Sequence, residues 1–83
     1  MSTITKEIKW PLHVIRRKVE DILRTLTNRQ HGYLSFTIGN IYLKNDNILV
    51  VEGSYSIYLF EMEERNFHIE FNNDTLNYIK IKV

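Results

Sequence analysis

Between Pro11 and Asn28 the apolar residues keep a helical spacing: Leu12, Ile15, Val19, Ile22, Leu23 and Leu26 share a stripe roughly 100° wide. The spacing predicts an amphipathic helix over residues 11–30. It opens at Pro11, whose missing N–H costs nothing at the first helical position and whose ring keeps Trp10 out of the helical conformation. On the opposite side Arg16 with Glu20, Arg17 with Asp21 and Glu20 with Arg24 sit four apart, the spacing of a solvated, ion-paired face. The helix frays from Thr27 to His31 and stops at Gly32, which tolerates the left-handed conformation of a helix end. Ahead of it Ile4, Ile8 and Trp10 fall on one parity, so residues 1–10 read as an extended arm or a short strand.

From Tyr33 onward the period changes to two, the spacing of a half-buried strand. Leu34, Phe36 and Ile38 lie on one parity and Ile41 and Leu43 on the other, with Gly39-Asn40 between. Two devices reconcile that switch. A two-residue turn pairs Ile38 with Ile41, Thr37 with Tyr42 and Phe36 with Leu43; a bulge at Gly39 inside one bent strand does the same without reversing the chain. Asn45-Asp46-Asn47 is a turn sequence. Gly53-Ser54 suits a type II′ hairpin joining Ile48–Glu52 to Tyr55–Met62. Glu63-Glu64-Arg65-Asn66 breaks the pattern, Phe67, Ile69 and Phe71 form a further strand, and Ile79, Ile81 and Val83 mark the last one, with Lys80 and Lys82 protecting an edge.

The expected fold is therefore α+β: one amphipathic helix packed on an antiparallel meander of about five strands spanning residues 33–83. The 83 residues make one domain, because a chain this short cannot enclose two cores. The hairpin registers leave Tyr42, Leu49, Val51, Tyr58 and Phe60 on the face away from the helix. An open face with those side chains is an aromatic and aliphatic patch of the kind that contacts another protein.

Charge refines this picture. Residues 1–32 carry seven Lys and Arg against three Asp and Glu, a net +4, whereas residues 33–83 carry four against seven, a net −3. His13, Arg17, Arg24 and Arg29, with Arg16 and Lys18 nearby, offer an alternative contact to nucleic-acid phosphates. Glu20 and Asp21 interrupt that stripe. There is no Cys, which removes disulfides and thiolate metal sites and suits a reducing, cytoplasmic setting. No apolar run approaches the ~20 residues of a membrane span.

Catalytic chemistry finds little footing. His13, His31 and His68 have no second ligand at a metal-binding spacing, so neither a metal nor another cofactor is expected. Glu61, Glu63 and Glu64 straddle the expected turn as solvated charges, and Ser2, Ser35, Ser54 and Ser56 lack an activating motif. Val50-Val51-Glu52-Gly53, followed by a tyrosine-bearing strand and by Asn66–Phe71, resembles the first binding hairpin of the cystatins, inhibitors of cysteine proteases. In that family a helix is wrapped by an antiparallel sheet and a Gln-Val-Val-x-Gly hairpin enters the protease cleft. Leu49 stands at the Gln position and no Pro-Trp hairpin follows, so the resemblance implies the architecture rather than the inhibitory activity.

The reading that follows is a non-enzymatic interaction module, of an inhibitor, immunity or anti-defence type, that binds a larger protein partner through Tyr42, Tyr58, Phe60, Leu49 and Val51. Two others stand beside it. One is a nucleic-acid-binding domain using the basic helix, the other a self-associating structural protein in which edge strands or the second sheet face form a homodimer.

Overall fold

A computed structural model describes residues 8–27, 33–45, 47–58 and 61–83. One helix, α1 (Leu12–Leu26), lies against a sheet of four antiparallel strands, β1 (Leu34–Lys44), β2 (Ile48–Tyr58), β3 (Met62–Asn72) and β4 (Tyr78–Lys82), in the order β1-β2-β3-β4. The α+β class and the meander agree with the sequence pattern; the strand count is four rather than about five.

The helix starts one residue later than expected. Pro11 is its cap, extended at φ −62° and ψ 151°, and makes no side-chain capping bond. The C-terminal end closes at Thr27, whose hydroxyl and N–H both donate to the Leu23 carbonyl, at 2.6 and 3.0 Å. The α-helix ends at Leu26 with Thr27 as its C-terminal cap, shorter than the expected span of residues 11–30. The expected stop at Gly32 lies outside the described residues. Ile15, Val19 and Leu23 carry the buried stripe, while Leu12 and Leu26 at its two ends stay exposed.

Gly53 does not turn the chain. A type II′ hairpin needs a positive φ at its first central residue, and among the described glycines none has one. Instead β2 runs straight through Gly53-Ser54, pairing Gly53 with Ile38 on one side and Phe67 on the other. The cystatin-like stretch Val50–Gly53 is therefore the middle of a strand and not a hairpin tip. A Cβ at position 53 would collide with the Thr37 carbonyl oxygen and lie 2.9 Å from Phe67 Cζ, so glycine is required here for space. Glu63–Asn66 likewise belongs to β3, with Glu63 opposite Ile57 and Arg65 opposite Tyr55. Its charged side chains sit where the β2–β3 hairpin is exposed, and the backbone ladder overrides their preference for a turn.

At Gly39 the register shifts by one residue between Ile38 and Asn40. The bulge reading holds, and β1 is one strand whose apolar residues Leu34, Phe36, Ile38, Ile41 and Leu43 all reach the helix side. Across from them Leu49, Val51, Tyr55 and Ile57 of β2 and Phe67, Ile69 and Phe71 of β3 are buried and form the core with α1. Arg16 stacks over the Phe36 ring at 4.9 Å, and Ile22 and Leu26 line a groove with Tyr78 and Ile81 of β4.

One end of the sheet is closed by Asn73, which is 1% exposed. Its N–H donates to the Asn47 carbonyl at 2.8 Å, tying the β3–β4 turn to the β1–β2 turn. Its carbonyl accepts from the Trp10 indole N–H at 2.8 Å, and Lys9 pairs with Asp74 beside it, so the segment leading into α1 is fastened to the same turn. Within that turn Asn72 Oδ1 accepts from the N–H groups of Asp74 and Thr75, and Leu76 takes φ 61° to place its side chain in the core. A bulky residue in the left-handed region is strained; burial of the leucine side chain offsets it.

Gly53→Ala is expected to destabilise the fold by about 2–3 kcal/mol through overpacking, read as a lower urea midpoint. Trp10→Phe keeps an aromatic ring but removes the donor to Asn73 together with part of the indole's packing, for a loss of at least about 1 kcal/mol. A Gly53→Ala variant as stable as the parent would show that β2 does not need the space.

Candidate functional site

Because β2 is continuous, its odd-numbered residues face the helix and its even-numbered residues face away. Leu49 and Val51 are thus core residues, fully buried, and are withdrawn from the open-face contact set expected above. Tyr42 and Tyr58 do face away and are exposed. They do not form one patch: Tyr42 is opposite Val50, eight residues before Tyr58 along β2, a separation of roughly 26 Å. Phe60 and Arg29 lie outside the described residues. Between the two tyrosines the face is polar, built from Thr37, Glu52, Ser54, Ser56, Asn66 and His68.

The centre of that face is an electrostatic cluster. Two cross-strand rows meet there, Tyr42–Val50–Glu70–Lys80 and Asn40–Glu52–His68–Lys82. His68 Nδ1 lies 2.9 Å from Glu52 Oε2 and its Nε2 lies 2.8 Å from Glu70 Oε2, so each ring nitrogen faces a carboxylate. Lys44 reaches Glu70 at 3.6 Å. The Glu70 side chain is only 7% exposed, and its charge is matched within the cluster as burial requires. Hydrogen bonds to Glu70 and then Glu52 raise the His68 pKa above its ordinary value, against the opposing effect of desolvation. The His68 hydrogen bond, followed by the charges of Lys44, His68 and Lys80, lowers that of Glu70 against desolvation. Desolvation, and then the charge and hydrogen bond of Glu52, raise the Tyr42 hydroxyl.

An imidazolium held between two carboxylates has both nitrogens committed as donors, which leaves neither to accept a proton from a substrate. Beside it a shallow polar depression of about 460 Å³ is lined by Thr37, Asn40, Glu52, Ser54 and Asn66, over Gly39 and Gly53. Among the described residues no group of three or more His, Asp or Glu is arranged to hold a metal ion.

The helix cations expected to meet phosphates have different surroundings. Arg24 Nε pairs with Glu20 at 3.4 Å and Arg16 is stacked on Phe36, leaving His13 and Arg17 exposed on the outer side. A different surface emerges where α1 meets β4. Ile22, Leu26, Tyr78 and Ile81, with Lys18, Asp21 and Thr25 at the rim, line an apolar groove of about 240 Å³. Leu26 and Tyr78 are 50% and 62% exposed there.

Sequence reasoning missed the His68 cluster and this groove. The signal for the first was present in His68 and Glu70 two apart on one strand face, opposite Glu52 once β2 is read as continuous. The groove depends on the register shift between Glu70 and Phe71, which sets Tyr78 opposite Phe71 and turns it to the helix side. No helix among the described residues is long and apolar enough to cross a membrane. Compared with protein families, curated proteins and solved structures, the chain matches none.

The cluster makes stability depend on pH. His68, with its pKa raised on folding, contributes fully below its unfolded value of about 6.5 and loses that contribution as pH rises through the folded value. Glu70, with its pKa lowered, contributes fully above about 4.3 and loses it as pH falls through the folded value. Both are complete between about pH 4.3 and 6.5. The stability difference between the parent and His68→Gln, measured by urea unfolding, is expected to be larger at pH 5.5 than at pH 9; a pH-independent difference would show that the imidazolium is not what the carboxylates hold.

Proposed function

We propose that this chain is a non-enzymatic protein-interaction module that binds a larger protein through the apolar groove between α1 and β4. The observation that supports this reading is the coincidence of a concave apolar lining with half-exposed Leu26 and Tyr78 at its mouth. A leucine and a tyrosine left in water beside a hollow are the anchor and pocket that a partner's apolar side chain completes. Lys18 and Asp21 stand at the groove's rim, one charge of each sign, so the groove selects its partner by apolar contact rather than by net charge.

An inhibitor, immunity or anti-defence protein works in this way, by covering a surface of about 800 Å² on its target rather than by chemistry. The closed His68 cluster supports the non-enzymatic part of the reading, since its imidazole is engaged on both sides. The lack of cysteine supports a reducing, cytoplasmic setting.

With the chain as bait in lysate of its source cells, treated with nuclease, one stoichiometric protein is expected to be retained. Leu26→Ala and Tyr78→Ala should each weaken its binding by about thirtyfold, the size of a hot-spot truncation, while Tyr58→Ala leaves it unchanged. Binding lost with Tyr42→Ala or Tyr58→Ala but kept with both groove variants would move the contact to the open sheet face. Co-purification of nucleic acid alone, removed by nuclease, would replace the proposal with the basic helix.

A further inference from the structure

The two edges of the sheet are not alike. β4 has five residues, carries Lys80 and Lys82 and breaks register beside Phe71, all of which discourage a neighbouring strand. β1 has eleven residues, no proline and no charge before Lys44, and pairs with β2 on one side only among the described residues. Its core-facing side chains Leu34, Phe36, Ile38, Ile41 and Leu43 are all half-buried, whereas Leu49, Val51, Tyr55 and Ile57 opposite them on β2 are fully buried. Among the described residues the core thus runs out to the β1 edge without being closed there. On the same flank Ile8, Trp10, Leu12, Ile15 and Ile41 line a second apolar cleft of about 240 Å³.

The order of residues in β1 says what fits this edge. Around Gly39-Asn40 the strand is a palindrome in character: Ile38 and Ile41, then Thr37 and Tyr42, then Phe36 and Leu43, then Ser35 and Lys44. In an ordinary strand residues three apart face opposite ways, so an antiparallel copy paired in this register would set core-facing side chains against outward ones. The bulge at Gly39 removes that conflict, because Ile38 and Ile41 now share the helix side and Thr37 and Tyr42 the open side. Residues on one face of a strand also direct their N–H and C=O groups to the same edge, so a register that matches faces matches hydrogen-bonding groups.

We infer that β1 is a self-complementary edge and that the chain forms a two-fold dimer by antiparallel β1–β1 pairing centred on Gly39-Asn40. Ile38 pairs with Ile41 of the second copy, Thr37 with Tyr42, Phe36 with Leu43 and Ser35 with Lys44, each pair occurring twice. These are the contacts a two-residue hairpin would have made within one chain; the bulge keeps the strand extended and moves them between chains. The pairing sets no like charges opposite each other. It joins two four-stranded sheets into one of eight, with both helices on one face and the half-closed cores meeting at the seam.

Sedimentation equilibrium across a concentration range is expected to find a monomer–dimer equilibrium. Ser35→Lys, which sets a lysine against Lys44 of the second copy at two places, should raise the dissociation constant about tenfold, and Ser35→Glu should lower it by a similar factor. Ser35 lies opposite Ser56 within its own chain and is exposed, so these changes leave the fold intact, as circular dichroism would verify. Thr37→Cys with Tyr42→Cys in this cysteine-free chain should yield a covalent dimer on oxidation. The two positions lie roughly 16 Å apart along one strand, far beyond disulfide reach within a chain. A monomer's mass at every concentration, or a dimer that responds alike to Ser35→Lys and Ser35→Glu, would overturn the inference.

Discussion

The arrangement of this protein depends on a side chain that is missing. At Gly53 the Phe67 ring and the Thr37 carbonyl close over β2 from its two neighbours, at distances that no Cβ could share. The contact lets β2 pass unbroken between β1 and β3. Every other assignment of inside and outside then follows from the two-residue period, since a strand that does not turn cannot exchange its faces. Leu49, Val51, Tyr55 and Ile57 go to the helix, and Val50, Glu52 and Ser54 go to the other side. The bulge at Gly39 is the matching adjustment in β1, which brings Ile41 and Leu43 back to the face already set by Leu34, Phe36 and Ile38.

The outward face shows how a sheet with a single helix can leave its second side in water. Val50 is apolar and fully buried there, and among the described residues no further element lies over it. Its cover comes from the rows on either side, Tyr42 across β1 and the Glu70 side chain across β3. A nearly buried carboxylate is costly unless its charge is answered. His68 answers it from the same strand and Lys44 from β1, and Glu52 balances the second nitrogen of the imidazole. The charged cluster thereby acts as a lid made of side chains, which explains why so polar a face coexists with a buried valine.

Much of this was legible in the sequence. The helix, its buried stripe, the α+β class and the parity of β1 and β3 could be read from spacing alone, because a 3.6-residue and a two-residue period leave different imprints. Glycine was the ambiguous symbol. At position 53 it has the local chemistry of a hairpin turn, and only its packing against Phe67, fourteen residues away, shows that it is a gap in a strand. That one substitution of meaning turned Leu49 and Val51 from surface into core and dispersed the expected aromatic patch. The charged run Glu63–Asn66 misled in the same way: solvation explains those side chains equally well in a turn and on an exposed hairpin, and the pairing with β2 decides. The apolar groove could not be read at all, since it needs the register shift in the β3–β4 pair to bring Tyr78 beside Leu26.

The two edges of the sheet are protected unequally. A free strand edge is a hazard unless it is blunted or occupied, and β4 is blunted by shortness, lysines and a register shift. Among the described residues β1 is neither blunted nor occupied, and its core-facing side chains are half-buried. The apolar groove lies at the β4 side, away from β1. The proposed pairing through β1 would leave both grooves free, one at each end of an eight-stranded sheet roughly 34 Å across at ~4.8 Å per strand. A target with two copies of the same apolar feature at that spacing would be held at both ends, so that release requires two contacts to open together. In that arrangement Leu26 and Tyr78 would act twice on one sheet, and the complex would dissociate more slowly than from a single groove.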